Sequence, residues 1–195
     1  MKKMKNSINF DFEKTKLEGL YIIKLKPFND LRGEFTRLFC HEEYITMGLT
    51  KNLLQINKSK STNAGTIRGM HLQTGNYSEN KIVTCISGKI YDVAVDMRPD
   101  SKTYLNWYGI ELSEKNNTSV LIPEGFAHGY QSIEDNSEIL YFVTNNYNSL
   151  SEDGVHPLDP FLKINWPLRC TEISKKDSER VFIENRIDFK PKNSY

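Results

Sequence analysis

Four histidines are available to this chain of 195 residues, and two stand where chemistry is feasible. His71 closes the run Arg68-Gly69-Met70-His71, with Gln73 two residues on. His128 closes Pro123-Glu124-Gly125-Phe126-Ala127-His128, with Gly129 next. Both read as lying beside glycines at the ends of apolar strands, where a barrel mouth would be. His41 and His156 sit in polar, loop-like contexts. An imidazole titrates at about pH 6.5, so it can take up and return a proton under working conditions. Such a base needs a carboxylate to fix its tautomer and stabilise the imidazolium. Asp92, on an alternating strand, and Asp177, in Ser174-Lys175-Lys176-Asp177, are both candidates. The Tyr141 phenol could return a proton on the opposite face, and Arg32, Arg68 and Lys81 offer cations for a diphosphate.

A metal site is the competing use of the same histidines. Metal-binding cupins are similar to one another in an H-x-H pair, a following Glu and a later His. Here the pair would be His71 and residue 73, but residue 73 is Gln, a poor ligand for iron, zinc or manganese. Without that ligand the histidines are better suited to acid–base work, and no metal or other cofactor is expected.

The elements that must position these groups are mostly strands. Leu20–Leu25, Ile82–Ile86, Lys89–Asp96, Tyr104–Leu112, Ser119–Ile122 and Glu138–Val143 all have strand character. Within Lys89–Asp96 the side chains alternate, with Tyr91, Val93 and Val95 on one face and Asp92, Ala94 and Asp96 on the other. Gly and Pro punctuate the joins. Many short strands at close spacing predict an all-β sandwich or jelly roll with few short helices. Helices are expected only around Glu42–Met47 and Ser174–Glu184. There is no GxGxxG and no phosphate loop, which argues against a nicotinamide site.

Totals set further bounds. One domain over residues 1–187 is expected, with a short polar tail over 188–195. A formal net charge of +1 leaves no basic footprint for nucleic acid. Cys40, Cys85 and Cys170 are odd in number and scattered, which fits a reducing compartment better than a disulfide framework. Met1-Lys2-Lys3-Met4-Lys5 is basic, but Asn6-Ser7-Ile8-Asn9 follows where a signal peptide needs an apolar run. No apolar stretch is long enough for a membrane span. A cytoplasmic enzyme without membrane attachment is the expectation.

Taken in order, these segments resemble the dTDP-4-dehydrorhamnose 3,5-epimerase family. The resemblance runs from about Gly19 to Asp177. It rests on Phe28-Asn29-Asp30-Leu31-Arg32-Gly33-Glu34-Phe35, Gln55-Ile56-Asn57-Lys58-Ser59 and Gly65-Thr66-Ile67-Arg68-Gly69-Met70-His71-Leu72-Gln73. It continues through Lys81, Asp92–Asp96, Pro123–Gly129, Tyr141, Glu152, Asp159-Pro160, Ile164-Asn165-Trp166-Pro167 and Lys176-Asp177. The resemblance implies a homodimeric, cupin-type jelly roll that uses no cofactor. It inverts centres flanking the C4 ketone of a 4-keto-6-deoxy sugar nucleotide, for surface polysaccharide synthesis. It makes His71 the base, Asp177 its orienting carboxylate, Tyr141 the acid, and Lys81 the cation near the enolate oxygen or diphosphate. Arg68 and Lys176 become phosphate ligands, and Arg32, Gln55, Asn57, Gln73, His128 and Glu152 substrate contacts.

Two departures bear on the substrate. Thymidine-using members carry a glutamate five residues after the arginine of D-x-R-G, whereas this chain has Arg37, a further candidate contact. A cation there changes what the pocket can hydrogen-bond, which opens GDP or CDP beside dTDP. After Gly154 the chain has His156-Pro157 where the family often has an Arg-Trp-like pair. The competing functions are a ketoisomerase moving the carbonyl between C4 and C3, and a non-catalytic sugar-nucleotide-binding cupin.

Overall fold

The computed structural model describes residues 8–186. The basic N-terminal run, the expected boundary at residue 187 and the polar tail all lie outside them.

Strands β1 (Phe10–Lys14), β2 (Tyr21–Leu25), β3 (Phe28–Asp30) and β4 (Gly33–Phe35) precede a short helix, α1 (His41–Ile45). Then come β5 (Gln55–Ser61), β6 (Thr66–Gln73), β7 (Lys81–Ser87), β8 (Lys89–Asp96), β9 (Trp107–Ser113) and β10 (Thr118–Ile122). The series ends with β11 (Phe126–Ser132), β12 (Ser137–Val143), β13 (Glu152–Gly154), β14 (Glu172–Ile173) and a single helical turn, α2 (Lys175–Ser178). One sheet has the order β1-β2-β10-β7-β12-β5 and the other β13-β6-β11-β8-β9, with β14 joining β6. The pairings are antiparallel except β14 on β6. Two packed antiparallel sheets whose strands cross between them make this a cupin-type jelly roll.

The alternation along β8 explains the layering. Ile90 and Ala94 join Val83, Val120, Ile122 and Ile139 in the core between the sheets. Tyr91, Val93 and Val95 face the other way, where Leu105, Val155, Leu162 and Trp166 cover them. The outer face of the first sheet is closed by Tyr44, Met47 and Leu49 against Phe10, Phe12 and Phe142. Each large side chain buried in these layers contributes about 1.5–3 kcal/mol.

Several elements differ from expectation. Strands β1, β5 and β11 carry polar or mixed sequences that hide their role. Along β5 the inward residues are Gln55, Asn57, Ser59 and Ser61, while Ile56, Lys58 and Lys60 are exposed, so the pattern is polar-in. All seven residues of β11 are buried, including a Gly, a His and a Gln. His128 is therefore interior to a strand rather than at its end, and His71 is the sixth of eight residues in β6. The helix expected over 174–184 is one turn followed by a 3-10 turn at Ile183–Asn185. The chain leaves the helical path because Ile183 is drawn into the outer apolar layer, where its amide donates to Asp159 Oδ2 at 2.6 Å.

Candidate active site

A cavity of about 700 Å3 opens between the two sheets. His71, Arg68 and Gln73 reach it from β6, His128 and Tyr130 from β11, Lys81 from β7, Tyr141 from β12, Ser59 from β5, and Glu152 from β13. Lys176 and Asp177 on α2 close one side.

Local backbone geometry brings His71 and Asp177 together. Gly69 has φ +124, and a side chain there would meet the Cα of Gly129 at 2.5 Å. A side chain on Gly129 would in turn meet the Arg68 carbonyl at 2.7 Å. These two glycines let β6 and β11 approach closely at a shift in register between His128 and Tyr130. The other edge of β6 is shared: β14 pairs in parallel with Thr66 and Ile67, and β13 pairs with His71 through Gln73. Between those partners the Gly69 amide donates to Asp177 Oδ2 at 3.3 Å. Strand β14 delivers α2 to this gap, and the Ser174 hydroxyl caps the turn by accepting from the Asp177 amide at 3.1 Å.

Asp177 Oδ1 lies 2.5 Å from His71 Nε2, with side-chain exposures of 5% and 36%. A neutral His71 that donates Nε2–H to Asp177 keeps its lone pair on Nδ1. Burial pushes the Asp177 carboxyl up, but the hydrogen bond and charge of His71 and the Gly69 amide outweigh it, so its pKa is lowered. Of the two candidate carboxylates, Asp177 holds His71. Asp92 holds the other histidine, with His128 Nε2 at 2.7 Å from Asp92 Oδ2.

Tyr141 belongs to the opposite sheet from His71. Its hydroxyl carries no hydrogen bond among the described residues. Burial, then the nearby Tyr130 and Glu79, raise its pKa, with Arg68 opposing. Lys81 is nearly enclosed, donating to the His71 carbonyl at 3.4 Å and lying 3.3 Å from Glu79. Arg68 donates Nε to the Ser61 hydroxyl and a terminal nitrogen to the Lys60 carbonyl. At the rim, Glu152 accepts from Lys176 at 2.7 Å, Tyr147 at 2.7 Å and Arg180 at 2.6 Å. Burial works against the Glu152 charge, but the Lys176 and Tyr147 bonds and the charges of Lys176 and His71 prevail and lower its pKa.

Not every expected contact faces the cavity. Gln73 borders it but its amide is taken up internally, donating to Tyr77 O, Glu79 and Asn146 O and accepting from the Asn148 amide. Arg32 is 89% exposed on the β3–β4 hairpin and paired with Asp30 at 2.5 Å, away from the cavity wall. Arg37 is exposed in the link from β4 to α1. Gln55 and Asn57 lie on the inward face of β5, in line with Ser59 but beyond the wall, and Asn57 is opposite Tyr141. His41 starts α1, and His156 accepts from the Leu158 amide and packs on Phe182. Glu79, Tyr130, Tyr147 and Arg180 were not anticipated. Glu79 alone had a local signal, two residues before Lys81. Among the described residues, no group of three His, Cys, Asp or Glu side chains could hold a metal ion, and no helix is long and apolar enough to cross a membrane.

A jelly roll with a carboxylate-held histidine on one sheet, a phenol on the other and lysine and arginine between them defines an acid–base enzyme for an anionic substrate. The comparisons narrow that class. The model of the dTDP-4-dehydrorhamnose 3,5-epimerase family matches residues 14–185, and the chain belongs to this family. It is 38% identical over 165 residues to the dTDP-4-dehydrorhamnose 3,5-epimerase of Shigella flexneri, covering 84% of this chain and 91% of that one. To the enzyme of the same name from Methanothermobacter thermautotrophicus it is 39% identical over 171 residues, covering 86% and 91%. Among solved structures, the dTDP-6-deoxy-D-glucose-3,5-epimerase of Legionella pneumophila in complex with dTDP-4-keto-L-rhamnose superposes with a TM-score of 0.86. It shares 35% identity over 90% of this chain and 94% of that one.

Proposed function

We propose that the protein epimerises C3 and C5 of a dTDP-linked 4-keto-6-deoxy sugar through enolate intermediates. The observation that carries this reading is the pairing of His71 with Asp177 on one sheet, across a shared cavity from Tyr141 on the other. Protons beside a ketone are weakly acidic, so the enolate charge must be met where it forms. His71 takes the proton through Nδ1 while Asp177 stabilises the imidazolium. Lys81 supports the enolate oxygen, and Tyr141 delivers a proton to the opposite face, inverting the centre. The raised pKa of Tyr141 suits this role, because an acid must hold its proton until the enolate forms.

Arg68 and Lys176 hold the diphosphate, whose attachment is remote from the reacting carbons and fixes the sugar for both abstractions. His128 and Glu152 contact the substrate from the cavity wall, and Gln55 and Asn57 from further along β5. Arg37 stands off this chain's cavity wall and so gives no ground for preferring GDP or CDP. We extend the proposal to a homodimer, for which the exposed Phe28, Leu31 and Phe35 of the β3–β4 hairpin offer apolar surface. The compartment is the cytoplasm, with which the free thiols Cys40, Cys85 and Cys170 accord.

The test is deuterium uptake. The protein is incubated in deuterated water with dTDP-, GDP- and CDP-linked 4-keto-6-deoxy sugars, and label is followed by NMR. Label with inversion at C3 and C5 of the dTDP sugar is expected. Label at C3 alone would reduce the activity to a mono-epimerase, and carbonyl migration would mean a ketoisomerase. No exchange with any nucleotide would overturn the proposal.

A further inference from the structure

Arg180 follows α2 and has only 11% of its side chain exposed. Its terminal nitrogen donates to Glu152 Oε1 at 2.6 Å. Its Nε lies 3.7 Å from Asp177 Oδ1, and this buried Nε makes no hydrogen bond among the described residues. The backbone makes room for it. A side chain on Gly154 would come within 2.8 Å of the Arg180 Cζ, and Gly154 is the residue paired with His71 between β13 and β6. Burying a guanidinium is costly unless its charge is balanced, and here it is placed between two carboxylates, over Gly154 on the face of the β13–β6 ladder that carries His71.

We infer that Arg180 is a positioning residue that tempers the basicity of His71. It is close enough to Asp177 to act on its field, yet too far to take the hydrogen bond that His71 holds. An anionic Asp177 alone favours the imidazolium, and a base that is already protonated cannot abstract a proton. The fixed positive charge of Arg180 offsets that pull while keeping Asp177 ionised. The charged groups about the cavity balance in number: Arg68, Lys81, Lys176 and Arg180 against Glu79, Glu152, Glu172 and Asp177. His128, opposite His71 across the β6–β11 ladder, and Tyr130, Tyr141 and Tyr147 are the other titratable groups that line the cavity. Removing Arg180 leaves one negative charge in excess and must raise the proton affinity of His71.

This inference rests on His71 being the base, and its test reads the ring itself rather than turnover. The Cε1–H resonances of the histidines are titrated by NMR in the native protein and in Arg180→Gln and Arg180→Lys. The His71 signal is identified by its loss in His71→Asn. Arg180→Gln is expected to raise the His71 midpoint by roughly one pH unit, and Arg180→Lys to return most of that shift. Glu152→Gln is expected to lower it, and the double variant Arg180→Gln/Glu152→Gln to lie near the native value, which keeps the test open if one single variant folds poorly. The acid limb of kcat/KM should move with the midpoint. An unmoved His71 midpoint in a folded Arg180→Gln protein would overturn the inference. A moved midpoint without any substrate exchange would instead overturn the epimerase proposal.

Discussion

His71 and His128 face each other across the β6–β11 ladder, and each holds a carboxylate, yet the two pairs are built differently. His128 and Asp92 come from neighbouring strands 36 positions apart, and their side chains are 10% and 1% exposed. His71 and Asp177 come from a strand and a one-turn helix 106 positions apart, and 36% of the His71 side chain is exposed. The enclosed pair ties β11 to β8 and presents a fixed wall. The open pair borders the cavity with its imidazole within reach of a substrate. On the proposed mechanism the same two residue types give a strut in one place and a base in the other, and solvent access decides which.

The largest effect should fall on the open pair. His71→Ala is expected to abolish deuterium exchange at both C3 and C5, a loss of at least ~10³-fold, whereas His128→Asn should cost only about tenfold. Parallel exchange assays on the two variants would break the comparison if their losses were equal. Tyr141→Phe should cut formation of inverted product by roughly 10²-fold while leaving proton abstraction measurable as label uptake without inversion. Product stereochemistry by NMR checks this. Because burial raises the Tyr141 pKa, its ionisation should set in at higher pH than that of an exposed tyrosine, so loss of this acid should not limit activity near neutral pH.

On the enclosed pair the effect should be on stability. Asp92→Asn leaves a buried histidine with a weaker partner and is expected to cost about 1–3 kcal/mol, read from denaturant midpoints. The smallest effect concerns acid. The folded-state pKa of Asp177 lies below its unfolded value, so its contribution is present above about pH 4 and is lost as pH falls through the folded value. Asp177→Asn should therefore flatten the fall of Tm between pH 5 and pH 3, and an unchanged slope would place the acid sensitivity elsewhere.

The difference between the pairs was only partly legible in the sequence. Histidines beside glycines and the missing ligand at Gln73 marked an acid–base centre, and both Asp92 and Asp177 stood as partners. Which carboxylate serves which histidine depends on β14 laying α2 along the gap in β6, a contact no local pattern encodes. Strand β8 was readable because its alternation is apolar, whereas β5 and β11 turn polar residues inward, of which Ser59, His128 and Tyr130 line the cavity. Arg180 was invisible for a similar reason, since its partner Glu152 is 28 residues distant. Arg32 and Arg37 were expected among the contacts, but the hairpin and link that carry them stand off the cavity of their own chain.

The measurement closest to the central claim compares the carboxylates rather than the histidines. Initial rates of deuterium uptake at C3 of the dTDP-linked 4-keto-6-deoxy sugar are recorded for Asp177→Asn and Asp92→Asn, both at a pH where each is folded. The account predicts a fall of about 10²-fold or more for Asp177→Asn and less than tenfold for Asp92→Asn. Near-native uptake by Asp177→Asn, or an equal loss in Asp92→Asn, would contradict it.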